Sequence, residues 1–219
     1  MKKLIGILVL IIALGQTSVY AFNWSSLLTG VSQSRPAAKT TTTTSAEVLR
    51  TLANFQSQAQ SIDDSVQNSF LSVVSQISTP QESTILNSKV ASILANTTQT
   101  QEQKNVLISQ LISNYTMNMN NNKTDIADII ENMSATEKKE LANSVANLAQ
   151  NSRQYAALAK QGVSTASTLM KASQNANDVL TTINTMRQTA ANIKNRATTV
   201  ANFVNKVRAI SKYAGFFIQ

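Results

Sequence analysis

One stretch of the sequence decides the fold, and over residues 169–207 it reads LMKASQNANDVLTTINTMRQTAANIKNRATTVANFVNKV. Two series of small or apolar residues recur in it every seven positions, offset by three. The first series is Leu169, Ala176, Ile183, Ala190, Ala197 and Val204. The second series is Ala172, Val179, Met186, Ile193, Val200 and Val207. These are the a and d positions of unbroken heptads without Gly or Pro, so the stretch predicts a long helix with one apolar seam.

The composition of this seam indicates what covers it. Half of its a positions are Ala. Burial stabilises by about 25 cal/mol per Å² of apolar surface, so an Ala layer contributes far less than a Leu layer. The seam therefore favours a helix packed among other helices of its own chain. Self-association as an autonomous coiled coil is the alternative.

The apolar spacing extends upstream of the seam. Leu141, Leu148 and Tyr155 lie on the same count of sevens as Leu169, with Gly162 between them. The preserved phase predicts one continuous or gently bent helix over about 136–212. The alternative is two helices, with Gly162 ending the first.

A second long helix is predicted over 45–77, where apolar residues recur every three or four positions. Shorter helices follow, and the capping-box sequences at Thr79–Glu82 and Ser134–Glu137 mark two helix starts. With 5 Gly and 2 Pro in 219 residues, the chain is poor in turn formers. We therefore predict an all-α, elongated helical bundle with long coiled-coil-like helices (about 45–77 and 136–212), and a single domain over 45–219.

Residues 1–21 have the pattern of a secretory signal peptide. A charged start and an apolar run lie within Lys2–Leu14, and Val19–Ala21 fits a cleavage site before Phe22. The apolar run is shorter than the roughly 20 residues of a bilayer-spanning helix. We predict export to the periplasm or the exterior of a bacterial cell, with an uncleaved N-terminal anchor as the alternative.

Residues 22–44 form a short amphipathic segment followed by a Thr-rich linker. Four apolar residues of this segment share one helical face. They are Trp24, Leu27, Leu28 and Val31. An apolar face on a tether fits a docking peptide or a membrane foot, so these residues are candidate interaction residues. Folding back to cap the bundle is the interpretation that we favour for this segment, and docking or membrane contact is the alternative.

The chain has no Cys and no His. The usual zinc ligands and the common pairs of nucleophile and base are therefore missing. The few acidic groupings suit helix starts better than a calcium loop, which needs alternating oxygen ligands and a Gly turn. We predict a protein that is not an enzyme and holds no cofactor or metal.

Positive charge is concentrated in the last third of the chain. Residues 153–219 carry nine Lys/Arg and one Asp, within a net charge of +8. Arg187, Lys194 and Arg208 occupy e positions of the heptads, beside the seam. Contact with an anionic surface or membrane is one interpretation, and attraction to the slightly acidic front half is the other. Scattered charges and predicted export argue against nucleic acid as a partner.

Aromatic residues collect at the C-terminus, where Phe216 and Phe217 are candidate interaction residues. They suit either a plug for the end of the bundle or a membrane interface. Taken together, the patterns predict an exported, non-enzymatic interaction or structural protein of the bacterial cell envelope, with a protein partner. We expect this protein to be a subunit or adaptor of an envelope or secretion assembly. The alternative is a membrane-active, pore-forming-like α-helical protein.

Overall fold

The computed structural model describes residues 45–172 and 177–218, and these form six helices without a strand. The helices are α1 (Ser45–Ile77), α2 (Pro80–Ala95), α3 (Gln101–Asn118), α4 (Lys123–Glu131), α5 (Ala135–Ala172) and α6 (Asn177–Tyr213). They pack against each other. The predicted all-α helical bundle is therefore confirmed. The predicted signal peptide and the segment 22–44 lie outside the described residues.

The C-terminal region forms two antiparallel helices, so the prediction of one helix over 136–212 was wrong. The Arg187 guanidinium lies 3.4 Å from the Met170 sulfur, and the Ser152 hydroxyl donates to the Ala197 carbonyl at 2.9 Å. A single helix of this length would be about 115 Å long. The Ala-rich seam in its second half would then have no neighbouring helix of the same region to pack against. Folding back lets α5 and α6 cover each other.

Gly162 lies inside α5, which continues through it. The interpretation that keeps the helix continuous across this glycine is therefore confirmed. A Cβ atom at this position would lie 2.5 Å from Phe55 Cζ on α1 and 3.0 Å from Ala190 Cβ on α6. Three helices thus approach each other closely at Gly162, and only a residue without a side chain fits between them.

The seam of α6 is buried inside the chain's own bundle. All nine of its positions between 179 and 207 are at most 6% exposed, and both Ile183 and Ile193 are fully buried. α5, α1 and α3 all pack against α6. The intramolecular interpretation of the seam therefore holds.

An aromatic cluster joins α1, α3 and α6 further along the bundle. The Phe203 ring packs edge-on against the Phe70 ring, with centroids 5.0 Å apart. Tyr115 contacts both rings in the same geometry at 5.9 and 6.1 Å. Such edge-to-face pairs each add about 0.5–1.5 kcal/mol beyond the area that they bury. The cluster holds the three helices in one register.

Both predicted capping boxes form. The Thr79 backbone N–H donates to Glu82 Oε2 at 3.1 Å, and the Glu82 N–H donates to the Thr79 hydroxyl at 3.3 Å. At the start of α5, the Ser134 N–H donates to Glu137 Oε2 at 2.8 Å. Hydrogen bonds from the Ser134 hydroxyl and backbone hold the pKa of the Glu137 carboxyl below its usual value. These local bonds set where α2 and α5 begin.

Candidate functional site

A charged pair is buried between α1 and α6. Arg196 Nη1 lies 3.1 Å from Asp63 Oδ2, and the two side chains are 4% and 8% exposed. The second guanidinium nitrogen of Arg196 lies 3.1 Å from Glu102 Oε2 on α3. A buried charge is tolerated only where it is paired and hydrogen-bonded, and this guanidinium meets two carboxylates.

Other polar groups complete a cluster that spans α1, α3, α5 and α6. The Tyr155 hydroxyl of α5 donates to Asp63 Oδ1, and Asn105 Nδ2 of α3 donates to Asp63 Oδ2 at 2.6 Å. Asn192 on α6 donates to Glu102 at 3.0 Å. We call Asp63, Glu102, Asn105, Tyr155 and Arg196 the central polar cluster. The Asp63 carboxylate thus has donors from three different helices.

A small cavity of about 10 Å³ adjoins the central polar cluster. Asp63, Asn105, Tyr155 and Arg196 form its polar wall. Its volume matches one water molecule. Arg196 Nε is buried nearby and has no hydrogen-bond partner among the described residues. A cavity of about 10 Å³ is too small to admit an organic substrate to the Asp63 carboxylate.

Burial controls the ionisation of this cluster. It raises the pKa of Asp63 from 3.8 to about 6, against the opposing attraction of Arg196 and the hydrogen bond from Tyr155. Burial also raises the pKa of the Tyr155 phenol, and the neighbouring Asp63 carboxylate raises it further. Tyr155 therefore stays protonated and acts as a donor, while Asp63 changes charge near pH 6.

The raised pKa of Asp63 predicts a pH dependence of stability. Because the folded-state pKa is higher than the unfolded one, the contribution of Asp63 is fully present below about pH 4 and is lost as the pH rises through about 6. Two pKa units correspond to about 3 kcal/mol. In thermal denaturation between pH 4 and 7, the wild type should lose stability relative to Asp63→Asn. Parallel curves for the two proteins would contradict this assignment.

The geometry of the cluster suits the positioning of helices. The charged side chains of Asp63 and Arg196 are both more than nine-tenths buried. The bonds from Arg196, Asn105 and Tyr155 to the Asp63 carboxylate each join α1 to another helix. A slip of any helix by one turn would separate a buried charge from its partner, which is strongly destabilising. The bonds of the central polar cluster therefore favour one register of the four helices.

Sequence reasoning missed this cluster. The count of sevens assigns Tyr155 to the apolar series, and Arg196 is counted only as one of the nine Lys/Arg of residues 153–219. One signal was available, because a Tyr on a buried seam needs a partner for its hydroxyl. Nothing in the local sequence around Asp63 or Arg196 names that partner, since the two residues are 133 positions apart.

Of the three candidate residues on α6, Arg187 contacts Met170 on α5. Arg187 is half-buried against Met170, Lys194 is exposed and Arg208 is half-buried. None of these three belongs to the central polar cluster. Trp24, Leu27, Leu28 and Val31 lie outside the described residues.

The C-terminal candidates are divided by a turn after α6. Gly215 has φ of 73°, the Phe216 N–H donates to the Ser211 carbonyl at 2.8 Å and the Gly215 N–H donates to the Lys212 carbonyl at 3.1 Å. This is the Schellman motif, which ends a helix with a left-handed residue. Phe216 packs against the core, whereas Phe217 is 70% exposed.

No family model, curated protein or solved structure matches this chain. Within the described residues, no three His, Cys, Asp or Glu side chains are grouped so that they could hold a metal ion. None of the described helices combines the length and apolar character needed to cross a bilayer.

Proposed function

We propose that this protein is an exported, non-enzymatic interaction protein of the bacterial cell envelope. In this role it binds another protein as a subunit or adaptor of an envelope assembly. The signal-peptide pattern of residues 1–21 supports export. The packed interior and the exposed aromatic end of α6 support binding through the surface of the bundle.

The presentation of Phe217 is the observation that carries this proposal. The Schellman motif turns the chain back, and Phe216 and Ile218 pack against the core on either side of Phe217. Phe217 itself is 70% exposed, and Tyr213 one turn earlier is 62% exposed. Lys123 Nζ lies 3.9 Å from the centre of the Tyr213 ring. Aromatic rings held outward on an anchored backbone are typical anchors of protein interfaces.

The cavities of the bundle give weaker support to an enzymatic or ligand-binding role. A second cavity, of about 80 Å³, lies between the end of α1, the start of α2 and the residues around Asp125. Small-molecule sites usually enclose about 300–1,000 Å³. Both this cavity and the one beside the central polar cluster are far smaller. Surface contacts are the better-supported way for this bundle to act.

Photo-crosslinking in the native host tests the proposal. A benzoyl-phenylalanine at position 217 should give a discrete protein adduct in the envelope fraction, and mass spectrometry should place the N-terminus of the mature chain at Phe22. The same probe at exposed Ala209 is the control and should not give that adduct. Phe217→Ala should abolish co-purification of the captured partner while changing stability by less than about 0.5 kcal/mol.

Three results would overturn this proposal. The first is an intact Met1 in the cytoplasmic fraction. The second is a probe at position 217 that labels only lipid. The third is an adduct that forms equally well from positions 209 and 217, because this would show chance proximity.

A further inference from the structure

The exposed basic residues of α5 lie in one row. Arg153, Lys160 and Lys171 are separated by seven and eleven residues. At 3.6 residues per turn, these spacings return to within about 20° of the same direction. All three side chains are exposed. They therefore form a single stripe along the outside of α5.

α6 adds basic residues beside this stripe. Arg187 reaches across to Met170 on α5, and Lys194 lies two turns further along the same edge of α6. Because the helices are antiparallel, Lys194 is level with the stretch of α5 around Lys160. We call Arg153, Lys160, Lys171, Arg187 and Lys194 the basic face. In a single continuous helix these five residues would be distributed along its whole length, whereas the antiparallel packing of α5 and α6 brings them side by side.

The basic face lies on the side of the antiparallel helices α5 and α6 that faces away from α1. α1 packs against both α5 and α6 through residues such as Phe55 and Asp63. Among the described helices, α5 packs against α6 and α1. Val163 and Met170, on the edge of α5 toward α6, are 51% and 36% exposed. The face thus combines positive charge with a small apolar area.

The sequence supplies almost no negative charge to α5 and α6 after Glu140. From residue 141 to 219 the sequence contains a single acidic residue, Asp178. The ion pairs between described residues both involve Arg196, which points inward to Asp63 and Glu102. The slightly acidic front half of the chain therefore does not neutralise the basic face by direct contact within the described residues.

We propose that the basic face docks the exported protein on an anionic phospholipid bilayer. This inference deepens the proposed function and rests on it for export to the envelope. Neighbouring charges along each helix are about 10–16 Å apart, which suits a diffuse layer of headgroups. Focal recognition of one carboxylate or phosphate would instead need donors converging within hydrogen-bond distance. The exposed Val163 and Met170 side chains suit shallow contact with the interface.

Vesicle co-sedimentation of the chain that begins at Phe22 tests the inference. The wild type should bind vesicles of phosphatidylglycerol and phosphatidylethanolamine but not vesicles of phosphatidylcholine. Binding should weaken sharply as NaCl rises from about 50 to about 500 mM. Each Lys removed should lower the partition coefficient about 5-fold, so Lys160→Gln with Lys194→Gln should lower it about 25-fold.

A matched variant separates the face from the net charge. Arg50 on α1 and Lys89 on α2 are exposed, and α2 packs against α1 and α3. Arg50→Gln with Lys89→Gln removes the same charge and should lower vesicle binding less than about 3-fold. Equal losses from the two double variants would overturn the inference, because binding would then follow net charge alone.

Two further outcomes have a definite meaning. Binding to soluble polyglutamate without binding to anionic vesicles would overturn the bilayer in favour of an acidic protein partner. Phe217→Ala should leave vesicle binding unchanged, which supports separate surfaces for lipid and protein. A failure of vesicle binding would leave the crosslinking result at position 217 standing, so the two proposals fail independently.

Discussion

Arg196→Met should lower the free energy of unfolding by about 3–5 kcal/mol, the usual cost of removing one partner from a buried ion pair. The substitution leaves Asp63 in the core without its counter-charge, although Tyr155 and Asn105 still donate to it. Urea denaturation at pH 7, followed by circular dichroism, measures the loss. The loss should shrink toward pH 4, because Asp63 then takes up a proton and no longer needs the guanidinium.

A double variant separates charge from packing at this position. Asp63→Asn keeps one of the two acceptor oxygens that Tyr155 and Asn105 use, and it removes the charge that Arg196 balances. Combined with Arg196→Met, it should recover more than half of the lost stability, since neutral replacements of buried pairs are often well tolerated. Losses that simply add would show that Asp63 and Arg196 do not interact in the folded state.

Ile183→Asp should lower stability by about 4 kcal/mol or more. Ile183 is fully buried on the seam of α6. The substitution removes apolar burial and also places a carboxylate in the core without a cationic partner among its neighbours on the seam. Urea denaturation followed by circular dichroism measures the effect, which should appear as a loss of helicity or a large shift of the urea midpoint.

The neighbouring residue offers a matched control for this prediction. Asn184 is exposed, so Asn184→Asp adds the same charge to the same turn of α6 on its solvent side. It should change stability by less than about 0.5 kcal/mol. Small and equal effects from Asp at positions 183 and 184 would contradict the burial of the seam.

Local features of the fold were predictable because neighbours in the chain determine them. The capping boxes at Thr79–Glu82 and Ser134–Glu137 join residues three apart, so the sequence alone marks these helix starts. The seam was predictable for the same reason, since its seven-residue period places one row of side chains on one side of a helix. Ile183 and Ile193 are accordingly buried where the period puts them.

The reversal between α5 and α6 was not predictable in this way. Heptad phase is compatible with a single rod and with two helices of the same period, so the count of sevens does not reveal a turn. Burial decides between a single rod and two packed helices, because the Ala-rich seam adds little stability unless another helix comes very close. Gly162 shows how close, since Phe55 and Ala190 leave no room for a Cβ atom there.

The sequence by itself therefore determined the helical class, the positions of two helix starts and the side of α6 that is buried, because each depends on contacts within a few residues. Only the tertiary structure decided the partners across the bundle. Asp63 meets Arg196 over 133 positions, and the basic residues of α5 and α6 share a face because the chain folds back. Such pairings depend on how helices dock, and helix docking is set by packing among residues that are distant in the chain.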